Sequence, residues 1–302
     1  MSVAVVFPGQ GTQRPGMGKP WLGHGAWRIV ERAEVATDRR LGWLLLNADE
    51  NDLSRTAEAQ FAVFLSSLVA WEGCRGALDE PVAFAGHSLG QITALVAAGA
   101  LEVEEGARLV AVRAEATQHA ADERPGRMAA LLGAHLDQAE AACGSGDDCW
   151  IANDNAPGQV VIGGTVEGVE AAVQRAGELG VRKALTLDVG GAFHTPLMEP
   201  ASIALGEYLK SVEFSRPVAP IVHNSDGALH ADDSWADRLT EHLIRPVRWR
   251  ESLEVLAALR PDTLVEVGAS STLSAMARRT VPTLATCTID RPESIPSAAV
   301  GP

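Results

Sequence analysis

The sequence predicts an α/β fold carrying a second, smaller inserted unit, and three observations lead to that reading. Short apolar runs, VAVVF, VAFAG, PIVHN and TLVEVG, each end in small or polar residues and are separated by helix-length segments. This is the rhythm of a mostly parallel sheet with both faces covered. The stretch from about Gly126 to Gly190 departs from that rhythm and reads β-α-β-β-α-β, the ferredoxin-like order. The chain has 302 residues, 46% hydrophobic and 21% charged, enough for one large domain or two unequal ones with a sizeable core.

Taken in order, MSVAVVFPGQ has no basic flank before its short apolar run, so it reads as a buried first strand rather than an export or membrane segment. VAFAG is a strand that runs into the turn at Ser88. LGQITALVAAGALEVEEGARLVAVRAEATQHAA is helical but broken near Gly99 and Gly106, so two helices follow, the second bearing Arg113. Within the insert, GRMAALLG is a strand and LDQAEAAC a helix. CWIANDNAPGQVVIGGT is two strands around an Asn-Asp-Asn-Ala-Pro-Gly turn, VEGVEAAVQRAGELG is a helix, and VRKALTLDVG is the last strand. IVHNSDGALH reads as a strand and turn with solvated histidines. From Asp290 the chain is rich in Pro, Ser and small residues with no periodic apolar face. The expected division is therefore 1–125 with 191–290 as the large unit, 126–190 as the small one, and 291–302 as a flexible tail.

The charge balance excludes some partners. The chain has 25 Lys and Arg against 39 Asp and Glu, a formal charge of −14, and only three lysines, so neither nucleic acid nor an anionic membrane surface is expected as partner. The four cysteines show no C-x-x-C or Cys/His spacing, which argues against a disulfide framework or zinc site and for a reducing cytoplasm.

Gly86-His87-Ser88-Leu89-Gly90 has G-x-S-x-G spacing in the strand–turn–helix setting that a nucleophile elbow needs. Glycines at 86 and 90 suit a turn too tight for side chains. The backbone N–H of Leu89 opens the following helix, where developing negative charge is favoured. Serine alone is a poor nucleophile, so a base must be found among eight histidines. His194, in VGGAFHTPLM, stands just past the last strand of the insert, where the chain re-enters the large unit beside the cleft. His87 is assigned to support of the turn, because neighbouring side chains on an elbow diverge.

Eight blocks, VFPGQGTQRPGMG, GHSLGQITALVAAGAL, VAVRAEATQ, MAALLG, NDNAPGQVVIGGT, GAFHTPLM, HLIRPVRW and LVEVG, occur in one order from about Val3 to Arg279. The chain in this respect resembles malonyl-CoA:acyl carrier protein transacylases and the related acyltransferase domains of polyketide synthases. The resemblance implies an α/β-hydrolase-like large subdomain with an inserted ferredoxin-like small one. It implies that Ser88 carries the acyl group as an ester and that His194 is general base and then acid, its ring held by the main-chain carbonyl of His242, where glutamine is usual. Gln10 and Leu89 would supply oxyanion N–H groups, Arg113 would clamp the malonyl carboxylate, and Phe193, Asn153, Asn155 and Gln60 would contact substrate. Alternatives stand beside these roles: Gln10 as a turn residue, Arg113 as a solvated helix arginine, Phe193 as packing at the junction, Asn153 and Asn155 as shapers of the hairpin turn. Gln91 stands where glutamate is common.

The implied partners are malonyl-CoA and an acyl carrier protein, with Arg182, Lys183, Arg278 and Arg279 expected near the carrier, no metal or redox cofactor, and a monomer. A hydrolase clearing acyl groups from carriers, or a transferase for another acyl unit, are the alternatives. The pathway, fatty-acid or polyketide, stays open.

Overall fold

The computed structural model describes residues 2–146 and 148–296, and within them ten strands form two sheets. The larger is built from β1 (Val3–Phe7), β2 (Pro81–Gly86), β7 (Ile221–Val222), β8 (Leu229–His230), β9 (Thr263–Val267) and β10 (Ala285–Ile289), in the order β10-β9-β1-β2-β7-β8. All pairs are parallel except the edge hairpin β7–β8. The period of two along β1 sends Val3, Val5 and Phe7 into the core on one face and Ala4 and Val6 into the core on the other. That is why VAVVF is apolar throughout. The helix Thr56–Cys74 is buried at every residue from 59 to 71, which explains why it carries no polar face.

The smaller sheet contains β3 (Arg127–Leu132), β4 (Cys149–Ala156), β5 (Gln159–Gly164) and β6 (Lys183–Thr186), antiparallel in the order β4-β5-β3-β6. With helices Leu136–Cys143 and Val166–Glu178 enclosing a third core, this is the ferredoxin-like arrangement. The chain is thus an α/β-hydrolase-like large unit with a ferredoxin-like insert.

Four local expectations are corrected. Asn153, Asp154 and Asn155 belong to strand β4, and only Pro157 and Gly158 make the turn, with Gly158 at φ 74°. Gly106 lies inside the helix Val103–Glu123 rather than breaking it; a Cβ there would lie 2.5 Å from Val96 Cγ2, so it is a close-packing glycine. Gly99, at φ 72°, is where the helices part. His223 is buried, 3% exposed, and not solvated. Finally, the segment expected to be flexible from 291 opens with the short 3-10 turn Pro292–Ser294, and Ile295 packs against the larger core; the rest of that expectation, 297–302, lies outside the described residues. Among the described residues, no helix is long and apolar enough to cross a membrane.

Candidate active site

Strand β2 ends at Gly86, the helix Gly90–Ala97 begins four residues later, and Ser88 between them sits at φ 51°, in the left-handed region. A Cβ on Gly86 would fall 1.8 Å from the carbonyl oxygen of Gly90, and one on Gly90 would fall 2.3 Å from that of Phe7. Both neighbours are backbone, so glycine is required at each position. The strained turn is held from outside. The Ser88 N–H donates to Asn224 Oδ1 at 2.8 Å, Asn224 Nδ2 donates to the Gly86 carbonyl at 2.8 Å, and the His87 N–H donates to that of Phe7 at 3.0 Å.

His194, itself at φ 62°, places Nε2 2.7 Å from Ser88 Oγ. Its Nδ1 lies 2.9 Å from the carbonyl oxygen of His242, which can only accept. The ring proton therefore sits on Nδ1, and Nε2 presents its lone pair to the serine hydroxyl. Burial first, and the charge of Arg113 second, push the His194 pKa down to about 3, so the ring is a neutral base.

Arg113, on the helix Val103–Glu123, is buried at 3% exposure. It donates through Nη1 to Gln60 Oε1 at 2.6 Å and through Nη2 to Ser88 Oγ at 3.2 Å. Among the described residues no carboxylate pairs with it, and burial lowers its pKa to about 10. A guanidinium held dry beside Ser88 Oγ with no carboxylate partner among the described residues has the chemistry to receive an anion.

A cavity of about 300 Å³ opens over Ser88, His194 and Arg113. Gln10, Asn153, Asn155 and Phe193 are all on its wall, which is contributed by the smaller sheet, the loops after β1 and β2 and the helix Thr272–Thr280. The Gly9 backbone lies against the His87 carbonyl, where a Cβ would come within 2.4 Å, so the loop bearing Gln10 runs alongside the elbow. Leu89 is buried and opens the helix behind Ser88. Asn155 Oδ1 meets His87 Nε2 at 2.8 Å, and the His87 ring packs edge-on against Trp249, so His87 joins the elbow to the small sheet. Phe193 both walls the cavity and belongs to the larger core. Gln60 is not on the wall and meets the cavity through Arg113, with its Nε2 buried and without a partner among the described residues.

Sequence reasoning missed Asn224. Its Oδ1 receives the Ser88 N–H and also lies 3.1 Å from His242 Nε2, while its own N–H donates to Gln91 Oε1 at 3.2 Å. One side chain thus links the Ser88 backbone to the residue whose carbonyl oxygen holds His194 Nδ1. The available signal was its place at the carboxyl end of a sheet strand, where sites in such folds gather.

Three buried histidines, His194, His223 and His242, and the half-buried His87 have pKa values below the ordinary imidazole range, desolvation being the first cause in each. A folded value below the unfolded one, about 6.5, means that unfolding takes up protons in between. The stability tied to neutral His194 is present above about pH 6.5 and is lost as pH falls toward about 3. From about pH 7 to about pH 5 this residue alone should cost about 2 kcal/mol, the other three adding in the same direction. Urea unfolding midpoints should fall across that window; a constant or rising midpoint would contradict the burial of neutral rings.

A family model for the acyl transferase domain matches residues 4–299. The malonyl CoA-acyl carrier protein transacylase of Bacillus subtilis is 34% identical over 300 residues, covering 97% of this chain and 95% of that one. That of Escherichia coli K12 is 34% identical over 308 residues, with 98% of each covered. Among solved structures, an acyl-carrier-protein S-malonyltransferase from Burkholderia pseudomallei superposes with a TM-score of 0.92 at 34% identity and 98% coverage of both chains. A malonyl-transacylase in complex with a type II polyketide synthase acyl-carrier protein superposes at 0.94, with 31% identity and 99% coverage of both.

Proposed function

The chain belongs to the acyl transferase domain family, and from that premise we propose that it moves malonyl from malonyl-CoA to the phosphopantetheine thiol of an acyl carrier protein through an ester on Ser88. The observation that carries the choice of malonyl is Arg113, a buried guanidinium 3.2 Å from Ser88 Oγ with no carboxylate partner among the described residues.

In the first half-reaction His194 Nε2 takes the Ser88 proton as Oγ attacks the thioester carbonyl. The N–H groups of Gln10 and Leu89 receive the oxyanion, at a helix start where negative charge is favoured. The His194 imidazolium then returns the proton to the coenzyme A sulfur, which leaves as thiol. In the second half the carrier thiol gives its proton to His194, attacks the ester and releases Ser88, which recovers the proton. Thioester and thiol balance both steps without a further reactant.

Arg113 has a second effect. Its charge is one cause of the depressed His194 pKa. A malonyl carboxylate neutralises that charge, so the arriving substrate raises the proton affinity of the base toward the range in which general-base catalysis works best. Phe193 on the cavity wall leaves little room for a branch at the α-carbon. For the carrier, Arg279 bonds to Gln159 on the cavity wall, whereas Arg278 turns to Thr286 of β10 at 3.0 Å, so Arg279 is the better placed of the two. We place the protein as a monomer, since one chain supplies the whole site, and in the cytoplasm, since its four cysteines are free thiols suited to a reducing compartment.

The test is the mass of the intact protein after brief exposure to malonyl-, methylmalonyl- and acetyl-CoA, followed by carrier bearing its phosphopantetheine. A malonyl adduct formed in preference to the other two and discharged only by the carrier is expected. An adduct lost to water equally fast without carrier would make the protein a hydrolase, and equal loading of acetyl would remove the malonyl assignment.

A further inference from the structure

The edge hairpin β7–β8 brings together His223, Asp226 and His230, whose ligand atoms all lie within 4.8 Å of one another. His223 Nε2 faces the carbonyl oxygen of Arg238 at 3.2 Å. A carbonyl can only accept, so the ring proton is on Nε2 and Nδ1 carries a lone pair. That buried Nδ1 has no hydrogen-bond partner among the described residues and lies 3.6 Å from Asp226 Oδ1. A lone pair and a carboxylate facing each other repel unless a cation stands between them. On the other side, His230 Nε2 lies 2.9 Å from Asp226 Oδ2.

We propose that His223 Nδ1, Asp226 and His230 Nε2 form a binding site for a divalent transition-metal ion, zinc by preference, completed by water. Two imidazoles and one carboxylate suit zinc, cobalt and nickel better than calcium or magnesium. With metal–ligand bonds of about 2.1 Å, tetrahedral ligands stand about 3.4 Å apart. His223 Nδ1 stands 3.6 Å from Asp226 Oδ1, close to this spacing, and His230 Nε2 stands 2.9 Å from the other oxygen, Oδ2, so the carboxylate must turn for one oxygen to serve both rings. The outer partners fit as well. A histidine ligand usually donates its second N–H to a carbonyl or carboxylate: His223 does so to Arg238, and His230 Nδ1 faces Asp232 at 4.0 Å. His230 binds by moving its single ring proton from Nε2 to Nδ1, so the site needs no net deprotonation there.

Of the three arginines that line the pocket with His223 and Asp226, Arg238 is paired with Asp232 at 2.7 Å and Arg248 with Glu251 at 2.7 Å; the third is Arg245. Asp226 is exposed, so the site is open to solvent from its carboxylate side. The ion would pin the hairpin one residue from Asn224, the side chain that holds the Ser88 N–H.

The experiment uses the full chain, stripped with a chelator and titrated with zinc chloride by calorimetry, with cobalt chloride as a spectroscopic probe. Cys143 and Cys149, whose sulfurs are 3.0 Å apart, are an independent pair of soft ligands, so a C143S/C149S variant runs in parallel. One zinc per chain is expected in the wild type and in C143S/C149S, with a cobalt spectrum lacking thiolate charge transfer. His230→Ala and Asp226→Ala, both at the outer side of the hairpin, should each weaken binding by about 10- to 100-fold or more. They should also abolish the rise in unfolding temperature that zinc gives the wild type. Absence of saturable binding, binding undiminished in both variants, or binding lost in C143S/C149S would each overturn the assignment.

Discussion

Ser88→Ala is expected to keep its fold and to form no acyl adduct with any coenzyme A ester, with overall transfer falling by about 10⁶, the scale seen when a serine nucleophile is removed. The fold survives because alanine meets the left-handed backbone at φ 51° on the same terms as serine, and because the supporting bond to Asn224 Oδ1 comes from the main-chain N–H. His194→Ala leaves the nucleophile in place but unactivated, and acyl loading should slow by about 10²–10⁴. Stopped-flow release of coenzyme A with intact-mass detection measures both. A malonyl adduct on Ser88→Ala would take Ser88 out of the chemistry, and unchanged loading by His194→Ala would place the base elsewhere.

Arg113→Ala should exchange malonyl for uncharged acyl groups. A charge-assisted hydrogen bond contributes about 1.5–3 kcal/mol, and a buried carboxylate left without its partner costs about 3–5 kcal/mol. Malonyl loading should therefore fall by roughly 10²–10³ or more. Acetyl loading should rise. In the wild type a bound methyl group leaves the buried guanidinium unpaired; in the variant that penalty vanishes. Removal of the side chain also leaves Gln60 Oε1 without its donor and takes one hydrogen bond from Ser88 Oγ. Loss of the malonyl rate together with gain of the acetyl rate separates substrate selection from general damage, which would lower both. Initial rates of ester formation with each coenzyme A ester decide it, and near-normal malonyl loading would reduce Arg113 to a structural residue.

Much of this site is local in origin, and what is local was legible in the sequence. The G-x-S-x-G turn, the apolar strand before it and the helix after it fix one another within a dozen residues, because strand period, glycine and helix start are short-range properties. The β-α-β-β-α-β order of the insert is likewise a succession of local periods. The near-continuous apolar character of VAVVF requires a strand covered on both faces, and the structure covers it. Burial of polar residues was not legible in this way. Asn153 and Asn155 look like turn formers, yet they sit in β4 with both on the cavity wall, where Asn155 Oδ1 meets His87 Nε2 across the subdomain junction. His223 looks like a surface histidine until the hairpin folds against Trp235 and His242. Gly106 looks like a helix breaker until Val96 and Phe64 are brought against it.

The sequence by itself determined the sheet-and-insert architecture, the strand–turn–helix setting of Ser88 and, through ordered blocks, the family. Only the tertiary structure decided that Ser88 and His194, 106 residues apart, meet at 2.7 Å, and that Asn224, 136 residues from Ser88, strains the elbow into place. It alone decided that Arg113 reaches the cavity without a carboxylate partner among the described residues. The physical reason is one of range. Periodicity and turn chemistry act between near neighbours, whereas desolvation, charge and side-chain hydrogen bonds depend on which distant segments the packed core brings into contact.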